Sequence, residues 1–201
     1  MARPSNTLER RSQITAALVQ VMAQKGYDGA SIADIAGAAG LTPGLLHYHF
    51  GSKQEILLAA LADIVARHEA ALDARLAAAG DDALAAVAAF IDLHLGLGAD
   101  ADAEALACWI LISGEALRTA RVRKAYEQAL RSLVERLVGL IRQGVAQHVL
   151  VCDDVDAAAS ALIAAIQGYF VRAATARDLI PRGSAARSTR RMAEGLLRPT
   201  R

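Results

Sequence analysis

No run in this chain alternates apolar and polar residues with the two-residue period of a half-buried strand, and the β-branched residues nowhere cluster in that way. What remains is helix. Ile14, Ala17, Leu18, Val21 and Met22 recur at i, i+3, i+4, i+7 and i+8, which draws one apolar stripe down a helix from about Thr7 to Lys25, where Lys25-Gly26 stops it. Alanine is abundant and aromatic residues are only 4% of the 201, so close helix packing, not aromatic bulk, has to build the interior. The fold class predicted is all-α. A hydrophobic share of 54% suits one globular unit, or a small module fused to a larger one.

Local signals divide the rest of the first quarter into short helices. Ser31-Ile32-Ala33-Asp34 has the S-x-x-D order in which a hydroxyl caps an orphan amide and an acid faces the helix N-terminus. Gly40 ends that helix, since a left-handed turn position suits a residue without Cβ. Thr42 then serves as N-cap and Pro43 as first helical residue, where a missing N–H costs nothing. Ser52-Lys53-Gln54-Glu55 opens a fourth, longer helix with the stripe Ile56, Leu57, Ala60, Leu61, Ile64, Val65 and His68. Five more helices are expected at about 82–97, 102–118, 121–148, 153–176 and 185–197. Their breaks fall at Gly96, Gly98 and Asp100, at Arg118 to Arg121, at Asp153-Asp154, and at Pro181 and Gly183.

Two short helices joined by a tight turn, the second opening with Thr-Pro, form a helix-turn-helix pattern over residues 31–50. Ala36, Ala39 and Leu41 fill the angle between the helices, and Ile35 and Leu46 point into a small core. The second helix is then presented to a DNA major groove, which is wide enough to admit it. Charge alone does not announce this role. The whole chain carries a net +1, and residues 1–55 hold five basic against four acidic side chains. Arg3, Arg10 and Arg11 fit either a basic arm that assists DNA binding or a solvated tail.

The run ASIADIAGAAGLTPGLLHYHFGSKQEILLAAL, residues 30–61, resembles the N-terminal domain of the TetR family of bacterial regulators. The run from Ala107 to Leu137, with the later IQGYFVRA, is similar to the C-terminal domain of its BetI-like subgroup. The resemblance implies a nine-helix architecture: a three-helix DNA-binding domain at 1–52 and a helical effector-binding and dimerisation domain at 53–201. Carried over residue by residue, it places Thr42, Pro43, Gly44, Leu45, His47, Tyr48 and His49 at the DNA, with Ser31 and Lys53 at phosphates. Pro43 stands where a lysine or arginine is frequent, so fewer charged donors reach the groove. Leu45 is then expected to meet a thymine methyl, and His47 and Tyr48 to carry polar readout. Phe50 is expected in the core.

In the eighth helix Ala157, Ala161, Ala164 and Gly168 form a stripe small enough for another helix to approach closely, opposite Val155, Leu162, Ile166 and Phe170. The resemblance implies a homodimer through helices eight and nine, bound to a palindromic double-stranded operator and released by a small-molecule effector. The effector is expected between helices four and eight, at Phe90, His94, Trp109, Ser113, Tyr126 and Gln167, with helix four as lever. The main alternative is a helical ligand-binding or adaptor protein without sequence-specific DNA binding. No phosphate loop, nucleophile elbow or H-E-x-x-H is present, so neither an enzyme nor a cofactor is expected. Cys108 and Cys152 lack partners at metal-ligand spacing and read as buried thiols; His47 and His49, at i, i+2, face different ways, so no metal site is expected. With no apolar run behind the basic N-terminus and no uncharged apolar stretch of about 18 residues, no membrane contact is expected and a cytoplasmic location is.

Overall fold

The computed structural model describes residues 4–96 and 103–200. Among them are nine α-helices: α1 (Pro4–Gly29), α2 (Ile32–Ala38), α3 (Pro43–His49), α4 (Lys53–Ala79), α5 (Ala83–Leu95), α6 (Ala103–Ala116), α7 (Ala120–Ala146), α8 (Val155–Thr175) and α9 (Ser184–Leu197). A single 3-10 turn at Arg177–Leu179 follows α8, and one isolated antiparallel bridge joins Leu150 to Pro199. The all-α expectation holds among these residues. Helix boundaries differ from it by a few residues. Gly26, at φ +71°, breaks α1 where the Lys25-Gly26 stop is predicted, but one further turn continues to Gly29. Asp154 caps α8 by accepting from the Ala157 amide, which sets its first residue at Val155 and not 153. Gly96 follows α5; Gly98 and Asp100, also predicted to end it, lie outside the described residues.

The chain packs as two units. The first contains α1, α2, α3, α4 as far as Arg67, α6, and α7 as far as Glu127. Its core joins Ile14, Leu18 and Met22 of α1 to Ile35, Leu46, Phe50, Ile56 and Leu57, all fully or almost fully buried. α6 adds Cys108, Ile112 and Ala116 to that core, so packing extends the N-terminal module well beyond residue 52. The second unit contains the remainder of α4, α5, α7 from Gln128, α8 and α9. Phe90 and Ile91 of α5, Leu137 and Ile141 of α7, and Leu162 and Ile166 of α8 form its centre, closed by Ala193 and Leu197 of α9. α8 is the one helix among the described residues long and apolar enough to cross a membrane, with a third of its most apolar window buried in the chain. Cys108 is buried as expected, whereas Cys152, in the loop before α8, is only half-buried.

Candidate nucleic-acid interface

Ser31 and Asp34 cap α2 reciprocally. The Asp34 amide donates to Ser31 Oγ at 3.0 Å, and the Ser31 amide donates to Asp34 Oδ2 at 3.1 Å. The Ser31 hydroxyl also donates to that carboxylate at 2.6 Å. Lys25, 2.6 Å from Asp34 Oδ1, and then Ser31 hold the Asp34 carboxyl down at about 2. α2 is therefore fixed at its start by local chemistry.

Beyond α2 the chain turns on Gly40, whose φ of +63° lies in the left-handed region that glycine enters at no steric cost. The Leu41 amide donates to the Ala36 carbonyl at 2.9 Å, closing the turn. α3 follows with Thr42 as N-cap, its Oγ1 accepting from the Leu45 amide at 3.3 Å, and with Pro43 at its first position. Leu46 and Phe50 are buried and anchor α3 to the core. Thr42, Pro43, Gly44, Leu45, His47 and Tyr48 are exposed, and His49 is half-buried. Tyr48 is 80% exposed, although an aromatic ring is a costly group to leave in water. The structure thus gathers seven predicted DNA residues on one short helix and its cap, with their apolar neighbours turned inward.

Lys53 and Ser31, the two predicted phosphate contacts, are already engaged. Lys53 Nζ donates to the carbonyls of Tyr27 (2.8 Å) and Ala30 (2.9 Å) and lies 4.4 Å from the Tyr27 ring centroid. That ammonium carries three donors, so one is left over. At the start of α4 the capping pattern is also shifted. Ser52 Oγ accepts from the Glu55 amide at 3.2 Å, but Glu55 Oε2 reaches past Ser52 to the Gly51 amide at 2.9 Å. Arg10 and Arg11 sit within α1, not on a loose arm, and Arg3 lies outside the described residues. Arg11 was not singled out as a site residue, yet its Nη1 donates to the His49 carbonyl at 2.5 Å and its guanidinium lies 3.9 Å over the Phe50 ring. Its partners are 38 residues away in sequence, so no local pattern points to them.

The six expected effector residues fall in both units. Trp109, Ser113 and Tyr126 belong to the first. The Trp109 and Tyr126 rings have centroids 4.9 Å apart, and the Tyr126 hydroxyl bonds with Ser113 and Trp109 while burial raises its pKa. Phe90, His94 and Gln167 belong to the second. Phe90 is fully buried, with its ring 4.3 Å from that of His94. His94 Nδ1 is 2.7 Å from the Phe90 carbonyl and its Nε2 is 2.7 Å from His68 Nε2. Three clefts within the units are lined by other residues. One of 670 Å³ lies between α5 and α9, one of 320 Å³ between α1 and α4, and one of 210 Å³ between α4 and α7. On α8, Ala157, Ala161, Ala164 and Gly168 are all exposed, while Leu162, Ile163 and Ile166 are buried.

Comparison with known proteins agrees with this arrangement. Residues 14–60 match the model of bacterial regulatory proteins of the tetR family, and residues 83–198 match that of the BetI-type transcriptional repressor C-terminal domain. An HTH-type transcriptional regulator BetI from Rhizobium meliloti (strain 1021) is 29% identical over 169 residues, covering 81% of this chain and 77% of that protein. Among solved structures, a transcriptional regulator from Saccharomonospora viridis in complex with choline is 26% identical with a TM-score of 0.79, over 94% of this chain and 95% of that one. A TetR-family regulator from Rhodococcus sp. superposes with a TM-score of 0.79 at 25% identity, over 94% of this chain and 99% of that one.

Proposed function

The chain belongs to the TetR family of bacterial regulators, its C-terminal domain is of the BetI type, and we propose that it is a homodimeric repressor released from a palindromic operator by a small molecule. The observation that carries this reading is the divided surface of α3. Leu46 and Phe50 hold the helix, while His47 and Tyr48 face outward and Leu45 is partly exposed beside them. In the major groove, Leu45 meets a thymine methyl, and His47 and Tyr48 supply donors and acceptors to base edges. Thr42, Pro43 and Gly44 bring the backbone close, with His49, Ser31 and the third donor of Lys53 at the flanking phosphates. Residues 1–52, with Lys53 just beyond them, are the DNA-contacting part, and the rest of 53–201 is the part that dimerises and senses.

The residues we propose for sensing are Trp109, Ser113 and Tyr126 in the first unit and Phe90, His94 and Gln167 in the second. The choline bound by the Saccharomonospora viridis neighbour makes quaternary ammonium compounds the first class to screen. Release follows by linkage, with α4 as the lever: an effector that prefers the conformation unfit for DNA lowers operator affinity by the same factor by which DNA lowers its own. Because its target is the chromosome of a bacterium, the protein is placed in the cytoplasm. Absence of catalytic activity follows from the same reading.

Selection of bound sequences from a random duplex library, with affinities for the winner and for scrambled DNA, tests the proposal. A palindrome preferred by at least about a thousandfold is the expected result. A second reading, a helical ligand-binding protein without sequence-specific DNA binding, draws support from the cations already engaged inside the fold: Arg11 with His49, Lys25 with Asp34, Lys53 with Tyr27 and Ala30. No enriched sequence, with or without candidate effectors, would favour it.

A further inference from the structure

We propose that Arg11 is a positioning residue for DNA recognition, holding α3 by its C-terminal end so that Leu45, His47 and Tyr48 meet the bases at a fixed pitch. The proposal rests on the DNA-binding reading above. α3 has only seven residues, too few for a helix to persist without tertiary support. Its last carbonyls lack intrahelical partners and form the negative end of the helix dipole. Arg11 answers both needs: Nη1 donates to the carbonyl of His49, the last helical residue, and the guanidinium carbon lies over the buried Phe50 ring. A charged hydrogen bond and a cation–π contact hold the guanidinium in two ways, more than a phosphate-seeking side chain on a mobile stem would show.

Two positions further along α1 the same device serves the other short helix. Gln13 Nε2 donates to the carbonyl of Ala39, the C-cap of α2, at 2.6 Å. Its Oε1 accepts from Arg10 Nη1 at 2.7 Å, which orients the amide. From two different sides, Arg11 and Gln13 of α1 thus hold the C-terminal ends of both helices of the motif, while Ser31 and Thr42 cap their starts. Base contacts depend on the angle at which α3 enters the groove, whereas phosphate contacts tolerate small rotations. Loss of the Arg11 brace therefore removes discrimination before it removes nonspecific binding.

Operator and scrambled-duplex affinities, each over a series of salt concentrations, distinguish positioning from phosphate contact. For Arg11→Met we expect operator affinity to fall about tenfold, the scale of one lost charged hydrogen bond. Scrambled-DNA affinity and the slope of log K against log salt should stay as in the wild type, and Arg11→Lys should recover most of the preference. A salt slope shallower by about one, with equal loss on both duplexes, would make Arg11 a phosphate contact and overturn the proposal. So would an unchanged operator preference in Arg11→Met. If Arg11→Met does not fold, Arg11→Gln decides: it keeps an N–H donor for the His49 carbonyl without the charge, so the salt slope must stay as in the wild type, and a slope shallower by about one overturns the proposal. Wild-type protein that selects no sequence overturns the DNA reading together with this one, whereas a wild type that selects a site leaves Arg11 to stand or fall alone.

Discussion

Tyr48 and His94 show how differently two polar rings are treated in this fold. Tyr48 lies on the outward face of α3, with its ring and that of His49 nearly perpendicular at 5.1 Å between centroids. Tyr48→Ala should therefore leave the unfolding free energy within about 0.5 kcal/mol of wild type, as for other surface changes. Operator affinity should fall by about 1–3 kcal/mol, the scale of one base contact. Unfolding in urea and a binding titration check the two halves separately, and an unaltered affinity would remove Tyr48 from the readout. His94 is buried among Phe90, Phe170 and His68. The Phe90 carbonyl can only accept, so His94 carries its proton on Nδ1, its Nε2 accepts, and His68 donates from Nε2. Burial, and then the neighbouring His68, press His94 down to about 3; burial and Arg75 lower His68 as well. Both folded values lie below the unfolded value of about 6.5, so between them the unfolded chain binds more protons. The stability gained by keeping these rings neutral is complete above that value and is lost as pH falls toward 3. Between pH 6.5 and 5 the His94 share of the loss is about 2 kcal/mol. Urea midpoints at the two pH values should show it, and His94→Phe should flatten the decline; an equally steep variant would place its origin elsewhere.

At the scale of elements, α7 carries two glycines whose replacement should act in opposite directions. Gly144 lies in its last turn, where its carbonyl accepts from the amides of Val149 and Leu150 and the chain folds back over it. A Cβ there would stand 2.4 Å from Leu150 Cδ1 and 3.1 Å from the Ala83 Cβ. Leu150 is 2% exposed and cannot swing away, so Gly144→Ala should destabilise by about 1–3 kcal/mol through overpacking. Gly139, on the solvent side, meets nothing within 4 Å, and Gly139→Ala should stabilise by up to about 1 kcal/mol through helix propensity. Thermal melts of both variants test the pair, and matching signs would contradict it. The contrast marks what sequence can convey. Gly26 and Gly40 were legible as breaks because a glycine beside a periodic stripe is a local signal, and both adopt positive φ. The caps at Ser31 and Thr42 were legible for the same reason, whereas Asp153-Asp154 marked the break before α8 without giving its cap. Gly144 against Leu150, Arg11 on His49 and α6 in the first core depend on residues brought together only by folding, and nothing in the spacing points to them. Lys53 was read as a phosphate contact because its position was known by resemblance; its two carbonyl partners depend on where α1 ends.

For the whole molecule, the question is what covers α8. A stripe of Ala157, Ala161, Ala164 and Gly168 is exposed along it, and Val171 is exposed just beyond, while the other side of the helix holds the second core. Met192 and Leu196 of α9 are likewise exposed. Small residues on one helix let a second approach closely, and a two-fold axis through this surface would pair each stripe with its copy. Dimerisation matters for binding because two recognition helices must reach half-sites about 34 Å apart at once. Linked contacts of that kind raise affinity by about 10²–10⁴ over one alone. Ala161→Arg places a long charged side chain in the middle of the stripe. Since residue 161 is exposed in the single chain, the variant should fold with near-wild-type helicity while sedimenting as a monomer. Its operator affinity should fall by roughly a hundredfold or more, with scrambled-DNA binding much less affected. A variant that stays dimeric and keeps its operator affinity would move the interface off α8. One that stays dimeric but loses the operator would show that α8 transmits the spacing of the two half-sites without forming the contact.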